Sequence, residues 1–368
     1  MNVVVIPDKF KGTLTAREAA EAIERGWYSV RPSDQLELIP MSDGGDGFGE
    51  TMALQSGGAR RRAKTVNAAG ESIWAPWWWL PKSRTAVVET ARVVGLALLP
   101  PGKHHPFDLD SFGLGVLLQK VFAADPKSCL IGLGGSATND GGMGMARALG
   151  WRFLDSKNQA LERWTELGRL RRVEGPGRAA ALPEIVVAVD VENRLLGKRG
   201  AARVYGPQKG LREQDFPLTD ECFRALAQAS RRHLGRDDSR RAGAGAAGGL
   251  GFGCFAFLEG QAQSGFDLFA VQANLDRRLG RADLVITGEG SIDRSSLMGK
   301  GVGRVAQWCR EHEKPCLGLG GCVKATAKLR QWFDKLYSTV ESGRDPALAI
   351  DRPGARLSQI ARLAALEW

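Results

Sequence analysis

The chain has 368 residues, of which 43% are hydrophobic and 25% charged, a composition that is typical of a globular protein and excludes intrinsic disorder. At roughly 150 residues per domain, this length predicts two or three domains. Glycine is abundant, with 47 residues, and lacks the G-x-y period of collagen. We therefore expect glycines in tight turns and where the backbone approaches a ligand closely.

The net charge of +10 favours anionic partners, such as nucleic acids, acidic lipids or phosphorylated metabolites. Part of the excess lies in arginine runs at 60–62, 169–172, 231–232 and 240–241. These runs lack the interleaved aromatic residues that single-strand binders use for stacking. A solvated basic surface is therefore favoured over a nucleic acid interface.

The cysteines and the apolar segments indicate a cytoplasmic protein. None of the six cysteines forms a C-x2-C pair and only four histidines are present, so no zinc site is expected. Residues 1–8 are typical of a short strand and not of a signal peptide. The longest uncharged stretch, 242–258, is slightly too short to span a bilayer, so no membrane partner is expected.

The predicted elements alternate between strand and helix. A buried strand at Val3–Ile6 precedes a helix that begins after Thr15, where Thr15 and Glu18 form a capping box. Further strands are predicted at 36–40, 86–89, 130–133, 185–189, 284–287 and 316–319, and helices at 112–122 and 303–313. This alternation predicts an α/β protein with parallel sheets.

Five of these strands run directly into a polar or glycine-rich segment, at 7–12, 42–47, 134–142, 190–193 and 288–293. In open α/β sheets, ligands bind beyond the carboxyl ends of the strands, so these segments predict a binding site. Backbone amides in a glycine-rich loop can converge on phosphate oxygens. The best candidate is 134–142, where Ser136, Thr138 and Asn139 add hydrogen-bonding groups. A tight strand-to-helix connection is the alternative.

A second glycine-rich segment, 242–251, contains a loose G-x-G-x-x-G but follows no clear strand, so a dinucleotide site is only weakly supported. A second anion-binding turn and close packing by small residues both remain open for it. The chain has no G-x-x-x-x-G-K-[ST] sequence and no H-R-D or D-F-G set. P-loop enzymes and protein kinases are therefore disfavoured.

Charged residues at the strand ends suit phosphoryl transfer. Mg²⁺ prefers a few carboxylates together with phosphate oxygens, and transfer to an alcohol needs a base near the hydroxyl and cations near the phosphoryl group. The candidate carboxylates are Asp43, Asp46, Asp190, Glu289 and Asp293. The candidate cations are Lys9, Lys11, Lys209 and Lys300.

Six sequence motifs occur in a characteristic order: PDKFKGTL at 7–14, SDGGDG at 42–47, GLGGSATNDGG at 132–142, GPQKG at 206–210, GAGAAGG at 243–249 and TGEGSID at 287–293. In these motifs and their order, the chain resembles the bacterial type I glycerate kinase family. The resemblance implies phosphorylation of D-glycerate with ATP and Mg²⁺, and 2-phosphoglycerate as the product in the well-known bacterial branch. The chain departs from the family at Arg194, where proline is usual, and in its tail beyond about 335.

The resemblance also implies a split fold, in which a second α/β domain is inserted into a flavodoxin-like parallel-sheet domain. We expect the flavodoxin-like domain at 1–66 plus 281–368 and the inserted domain at 67–280. D-glycerate is expected between the two domains, with its carboxylate at Lys9 or Lys11.

The expected site residues fall into four groups. The predicted catalytic residues are Asp190, Lys11 and Asn193, with Asp190 as the base, a role that the resemblance does not fix. The predicted substrate-binding residues are Asp8, Lys9, Asp43 and Asp46. The predicted ATP- or phosphate-binding residues are Gly134, Gly135, Ser136, Thr138, Asn139, Asp140, Gly288, Glu289, Gly290 and Lys300. The predicted metal ligand is Asp293.

Two other functions stay open at this point. One is a kinase for another small hydroxy acid, and the other is a sensor of a phosphorylated metabolite whose arginine runs contact DNA. No helix-turn-helix or other reader motif supports the sensor. The residues do not distinguish the 2-hydroxyl from the 3-hydroxyl of glycerate as the acceptor. A homo-oligomeric contact, if one forms, is expected at the tryptophan-rich stretch 74–79.

Overall fold

A computed structural model describes residues 1–177, 182–294, 296, 301–324, 326–340 and 351–368. The chain forms two compact units, one of residues 1–43 and 266–368 and one of residues 44–265. In the described ranges, no helix has both the length and the apolar character needed to cross a membrane.

The strands alternate with helices along much of the chain, as predicted. The strands are β1 (Asn2–Pro7), β2 (Gln35–Leu38), β3 (Ala59–Val66), β4 (Ser72–Leu80), β5 (Thr85–Glu89), β6 (Ser128–Gly132), β7 (Arg152–Leu154), β8 (Arg172–Glu174), β9 (Glu184–Ala188), β10 (Gln261–Gln263), β11 (Leu284–Ile292), β12 (Cys316–Val323) and β13 (Lys335–Ser338).

The helices range from one turn to five turns. The α-helices are α1 (Ala16–Tyr28), α2 (Phe48–Ser56), α3 (Ala91–Val94), α4 (Phe112–Phe122), α5 (Met143–Ala148), α6 (Ala201–Tyr205), α7 (Phe216–Leu234), α8 (Ala246–Leu258), α9 (Gly265–Gln272), α10 (Leu275–Gly280), α11 (Gly301–Glu311), α12 (Ala327–Arg330) and α13 (Pro353–Glu367). Single 3-10 turns lie at Leu96–Leu98, Pro106–Asp108, Trp164–Arg169, Pro207–Lys209, Glu213–Asp215 and Asp238–Arg240.

The first unit is built on a parallel sheet whose inner strands come from distant parts of the chain. The strand order is β13-β12-β11-β1-β2, and each neighbouring pair is parallel. Numbered within the unit, this is the 2-1-3-4-5 order of flavodoxin-like folds. The predicted flavodoxin-like α/β architecture is therefore confirmed. The apolar runs of β1 and β11 are buried because helices cover the sheet.

Helices α1 and α13 pack against each other in the first unit. The predicted capping box begins α1: the Glu18 amide donates to Thr15 Oγ1 at 3.2 Å, and the Thr15 amide donates to Glu18 Oε2 at 2.8 Å. Trp27 near its end is fully buried, and its indole N–H donates to Asp34 at 3.0 Å. Gly26 faces α13 so closely that an added Cβ would lie 2.1 Å from the Ser358 carbonyl oxygen.

The second unit has a mixed six-stranded sheet of order β10-β9-β6-β5-β4-β3. Strands β5, β6, β9 and β10 are parallel, and β4 and β3 extend this sheet as antiparallel strands. Strands β7 and β8 form a separate antiparallel pair. In the tryptophan-rich β4, Trp77 and Trp78 are buried whereas Trp74 is 66% exposed. The first two therefore belong to the core, and the oligomeric contact stays a prediction.

The division of the chain differs from the predicted boundaries at 66/67 and 280/281. Strand β3 pairs along its whole length with β4, and α2 packs on Trp78 of β4, so residues 44–66 fold with the second unit. Residues 266–280 fold with the first unit. The sequence offered no signal for this, because pairing between β3 and β4 is not visible in either strand alone.

Gly26→Ala tests the contact between α1 and α13. The added methyl group would collide with the Ser358 backbone, so we expect the free energy of unfolding to fall by about 1–3 kcal/mol. Gly280→Ala is the matched control, because nothing lies within 4 Å of a Cβ at that position. Urea unfolding of both variants measures the difference. Because alanine favours a helix more than glycine does, helix propensity alone would stabilise both variants, and a Gly26 variant as stable as the Gly280 variant would contradict the close contact.

Candidate functional site

Three acidic residues lie at the carboxyl edge of the sheet in the first unit. Asp8 directly follows β1, and its amide donates to the Gly288 carbonyl oxygen at 2.8 Å. Because Pro7 is paired with Gly288, Asp8 lies beside Glu289 of β11. Asp43 follows β2. The gap between β1 and β11 is the point at which the sheet order reverses, where open α/β sheets bind ligands.

The carboxyl group of Asp8 is held in an unfavourable environment for its charge. Burial, followed by the nearby negative charge of Asp43, raises the pKa of Asp8 to about 7. The opposing influences come from Lys9, whose amide donates to Asp8 Oδ1 at 2.7 Å and whose ammonium lies 3.6 Å from Asp43 Oδ1. The structure thus brings together three of the predicted substrate-binding residues, Asp8, Lys9 and Asp43.

The predicted loop at 288–293 is a strand for most of its length. Strand β11 continues through Gly288, Glu289 and Gly290 to Ile292, paired with β12. A Cβ at Gly288 would lie only 2.2 Å from the Leu319 carbonyl oxygen, so glycine here permits close pairing and does not mark a turn. The prediction of an exit loop was wrong because strand length cannot be read from a glycine-rich sequence.

Glu289 and Asp293 are both tied to one hydroxyl group, that of Ser296. The hydroxyl donates to Glu289 Oε1 at 2.5 Å and accepts from the Asp293 amide at 3.2 Å. Ser296 is fully buried, and no motif in the sequence singled it out. Lys300, a predicted phosphate-binding residue, lies outside the described residues.

In the second unit, the segment after β6 forms the predicted glycine-rich loop, 134–142. Two backbone contacts fix its start, since Leu96 donates to the Gly135 carbonyl oxygen and Ala137 donates to that of Val94, both at 2.8 Å. Gly135 is exposed and has a left-handed φ of +59°. Among the described residues, no acceptor contacts the amides of Gly135 and Ser136. Both amides therefore lack an acceptor, and the amide of exposed Gly135 is available to an anion.

The polar side chains of this loop are buried, and their role in binding phosphate stays a prediction. Ser136 is 4% exposed, and Thr138 and Asn139 are fully buried. The Ser136 hydroxyl accepts from Lys209 Nζ at 2.9 Å. The Thr138 hydroxyl and both polar atoms of the Asn139 amide have no hydrogen-bond partner among the described residues. In this arrangement, exposed Gly135 and half-buried Gly134 are the accessible part of the loop.

Asp140 is engaged inside the fold. Its Oδ2 accepts from the Ser111 hydroxyl at 2.6 Å and from the amides of Ser111 and Gly144 at 2.9 Å each. Burial and the charge of Asp140 together raise the pKa of neighbouring Asp110 to about 6. A carboxylate with these donors stabilises the start of α5, so the geometry places Asp140 in support of the loop.

The two glycine-rich segments of the second unit pack on each other. An added Cβ at Gly248 would lie 1.9 Å from the Thr138 carbonyl oxygen, and one at Gly142 would lie 2.8 Å from Cα of Gly253. The Gly141 amide donates to the Gly248 carbonyl oxygen at 3.3 Å. Of the two interpretations left open for 242–251, the contacts favour close packing by small residues.

Asp190 lies at the end of β9, where it is exposed, and its Oδ1 accepts from the Gly265 amide at 3.1 Å. Asn193, predicted as catalytic, uses both ends of its amide within the second unit. It donates to the Arg199 carbonyl oxygen at 2.9 Å and accepts from the Tyr205 hydroxyl at 2.8 Å. Lys11, in the first unit, is exposed.

Asp46 and Glu89 lie near the glycine-rich loop and the start of α2. A Cβ added to Gly135 would lie 3.3 Å from Asp46 Oδ1. Glu89 is buried at the end of β5 and accepts from the amides of Gly49 at 2.7 Å and Gly47 at 3.3 Å. The Glu89 carboxylate caps α2, because the N-cap residue Gly47 has no side chain to do so. Burial raises the pKa of Glu89. Its position at a strand end was the signal that could have identified it.

The described carboxylates do not form a metal cage. Within the described ranges, no group of three or more His, Cys, Asp or Glu side chains is arranged to hold a metal ion. A binding mode with one or two carboxylates and the oxygens of a phosphate ligand needs no such group.

Comparison with known proteins gives a consistent result. The family model described as "Glycerate kinase family" matches residues 3–368. The chain is 37% identical over 326 residues to glycerate 2-kinase of Escherichia coli K12, covering 88% of this chain and 86% of that protein. It is 35% identical over 345 residues to glycerate kinase of Bacillus subtilis 168, covering 92% and 90%.

A crystal structure assigned to glycerate kinase 2 of Salmonella typhimurium LT2 has a similar fold. It superposes with a TM-score of 0.85 at 33% identity and covers 100% of this chain and 98% of the other.

Asp8→Asn tests the electrostatic strain at the sheet edge. The folded-state pKa of Asp8, about 7, lies above its ordinary value of 3.8, so ionising Asp8 lowers the stability of the folded protein as pH rises from about 4 to about 7. The variant lacks this cost. We expect its free energy of unfolding relative to the parent to rise between pH 5 and pH 8, by about 1–4 kcal/mol.

Urea unfolding at the two pH values measures this difference. Asp276→Asn, which removes an exposed carboxylate from the same unit, is the control and should leave the pH dependence as it is. Parallel pH profiles for the parent and the Asp8 variant would show that the Asp8 carboxylate is not strained.

Proposed function

Because the chain belongs to the glycerate kinase family, we propose that it transfers the γ-phosphoryl group of ATP to a hydroxyl of D-glycerate, with 2-phosphoglycerate as the product. The observation that carries this proposal is the exposed backbone at Gly135, whose amide, like that of the neighbouring Ser136, contacts no acceptor among the described residues. Backbone amides at a strand end are well suited to phosphate oxygens.

The phosphates of ATP are proposed to bind at 134–136. Gly135 supports this role because its left-handed φ of +59° turns successive amides toward one side, and because it is exposed. Thr138, Asn139 and Asp140 then act from behind the loop and hold its shape. We also propose that Gly288, Glu289 and Gly290 bind ATP, although their backbone lies within strand β11.

Mg²⁺ is proposed as the metal that accompanies ATP. The fit is seen at Asp46, whose carboxylate lies beside Gly135, because a carboxylate next to a phosphate loop repels phosphate unless a cation is shared between them. Asp46 would hold Mg²⁺ together with phosphate oxygens, and Mg²⁺ would neutralise charge on the transferred group. Asp293 stays a proposed second ligand.

Glycerate presents a carboxylate and two hydroxyl groups, so its site needs a cation and a base. Lys9 and Lys11 are the proposed carboxylate partners, and Lys9 is already oriented by its ion pair with Asp43. Asp190 is the proposed base, since it is an exposed carboxylate at a strand end. Asp8 is a second candidate for the base, because a pKa of about 7 suits proton transfer near neutral pH.

The contacts of Asn193 suggest how it serves the reaction. Its amide links the Arg199 backbone to the Tyr205 hydroxyl and so fixes the segment that leads away from Asp190. Its proposed role is therefore to position Asp190. A cytoplasmic location stays part of the proposal.

A coupled assay of ATP consumption tests the activity directly. We expect turnover with D-glycerate and Mg²⁺, and little with L-glycerate, glycolate, lactate or 3-hydroxypropionate. NMR of the product identifies the phosphorylated hydroxyl and should give 2-phosphoglycerate. If another hydroxy acid is the better substrate, the kinase stands and its substrate assignment falls. If no hydroxy acid supports turnover, the proposed function is excluded.

Asp190→Asn separates the two candidates for the base. Asparagine can still accept the Gly265 amide, so the fold should be retained, while loss of the base should lower kcat at least ~10²-fold. Glu192→Gln, an exposed neighbour on the same segment, is the matched control and should keep its activity. Near-parental kcat in the Asp190 variant together with a large loss in Asp8→Asn would move the role to Asp8.

A further inference from the structure

Lys209 is a buried lysine in the second unit, at the end of the 3-10 turn Pro207–Lys209. It is only 6% exposed. Its Nζ donates to the Ser136 hydroxyl at 2.9 Å and to the Thr138 carbonyl oxygen at 2.7 Å. The amine therefore links its own turn to the glycine-rich loop, 73 residues away in sequence. It contacts that loop at two points close to the amides of Gly135 and Ser136.

The amine lies close to the backbones of two segments, at Thr138 and at Gly248. A Cβ on Gly248 would be 2.8 Å from Lys209 Nζ as well as 1.9 Å from the Thr138 carbonyl oxygen. Ala247, Gly248 and Gly249 all have left-handed φ values, of +53°, +72° and +86°. Three successive residues in this conformation are costly, and they allow the backbone to approach the lysine closely.

A buried lysine is unfavourable as a purely structural contact, because burial disfavours its charged form. Burial lowers the pKa of Lys209 to about 7, and the charge of Asp140 acts in the opposite direction. Asp140 already accepts from Ser111, Gly142 and Gly144, and helix α8 on the other side carries no charged residue between 246 and 258. The positive charge of Lys209 is therefore only partly balanced within the unit.

We propose that Lys209 is the positioning residue of the nucleotide phosphate site: its amine fixes Ser136 and Thr138 and so holds the exposed amide of Gly135 in place, and its charge stabilises the bound phosphates from behind the loop. This inference rests on the proposed function, because it takes the ligand of the loop to be ATP. It assigns Lys209 a role in ATP affinity and none in contact with glycerate.

If the charge of Lys209 stabilises the phosphates, ATP binding should change the protonation of its amine, an effect that packing alone would not produce. A bound phosphate favours the protonated amine, so its pKa rises on binding, and at pH 7.5 the enzyme should take up a fraction of a proton for each ATP bound. Isothermal titration calorimetry with Mg²⁺ and ATP, without glycerate, measures this uptake when it is repeated in buffers of different ionisation enthalpy. Protons that ATP itself takes up or releases contribute equally in all variants, so a comparison between variants removes this contribution from the measured proton uptake.

Lys209→Met keeps the length of the side chain and removes the charge and both hydrogen bonds. We expect the KM for ATP to rise about tenfold, while the KM for glycerate changes little and the proton uptake is lost. Lys157→Met, which removes an exposed charge from the same unit, is the matched control and should match the parent in all three measurements. An unchanged KM for ATP with unchanged proton uptake in Lys209→Met would overturn the proposal.

Ser136→Ala keeps the test decisive if Lys209→Met does not fold, which circular dichroism would show. It removes one acceptor of the amine and should raise the KM for ATP about threefold. Proton uptake should persist, because the amine remains. An unchanged KM for ATP in this variant would then overturn the proposal.

The outcomes also separate this inference from the function on which it rests. If the parent binds ATP with proton uptake but phosphorylates no hydroxy acid, the role of Lys209 stands and the proposed activity falls. If glycerate is phosphorylated and the Lys209 variant behaves like the parent, the activity stands and the role of Lys209 falls. If the parent binds no ATP, both fall.

Discussion

The parallel pairing of β1 with β11 is the contact on which the first unit depends. It joins Val3 to Leu284 and Pro7 to Gly288, although more than 270 residues separate them in sequence. Closing so long a loop costs conformational entropy. Burial of both faces of the two strands offsets this cost, and their apolar runs permit that burial. The same pairing places Asp8 beside Glu289 at the reversal of strand order. The fold and the acidic edge are therefore consequences of one register.

In the second unit, the equivalent constraint is contact between two glycine-rich segments. The backbones at 138–142 and 248–253 approach so closely that a methyl group at several positions would overlap a carbonyl oxygen or a Cα atom. This explains part of the glycine excess that the composition shows. At these glycines the absence of a side chain lets one loop pack on and support another. Gly135 is exposed, and it is the part of the loop that is proposed to bind phosphate.

The sequence predicted the elements and the fold well where a local signal existed. The capping box at Thr15, the helix at 112–122 and the strand at Val3–Ile6 all depend on neighbouring residues, and each is present. The resemblance to a family supplied the flavodoxin-like order, which no local pattern carries. The extension of β11 through Gly290 and the pairing of β3 with β4 were not predictable, because each depends on a partner strand.

The candidate site was predictable in outline, and the burial of its side chains was not. Strand ends located Asp8, Asp43, Asp190 and the loop at 134–142, because parallel sheets direct their carboxyl ends to one edge. Ser136, Thr138 and Asn139 were predicted as hydrogen-bonding groups of a phosphate site, and no local pattern indicated that they are buried. They are buried because Lys209 and the 247–249 turn close over them, an arrangement that involves residues more than 70 positions away.

Asp8 in the first unit and Lys209 in the second follow one electrostatic principle, although the two groups carry opposite charges. Burial raises the pKa of Asp8 and lowers that of Lys209, each to about 7, so in both groups the charged form is less favoured than in an exposed side chain. A nearby cation would favour the charged form of Asp8, and a nearby anion that of Lys209. Both groups therefore bind charge of the opposite sign more readily than exposed residues would, because the cost of burial has already been met by the folding of each unit. Under the proposed function, both groups would contribute to the electrostatic preorganisation of phosphoryl transfer, whose catalysis depends on position and charge.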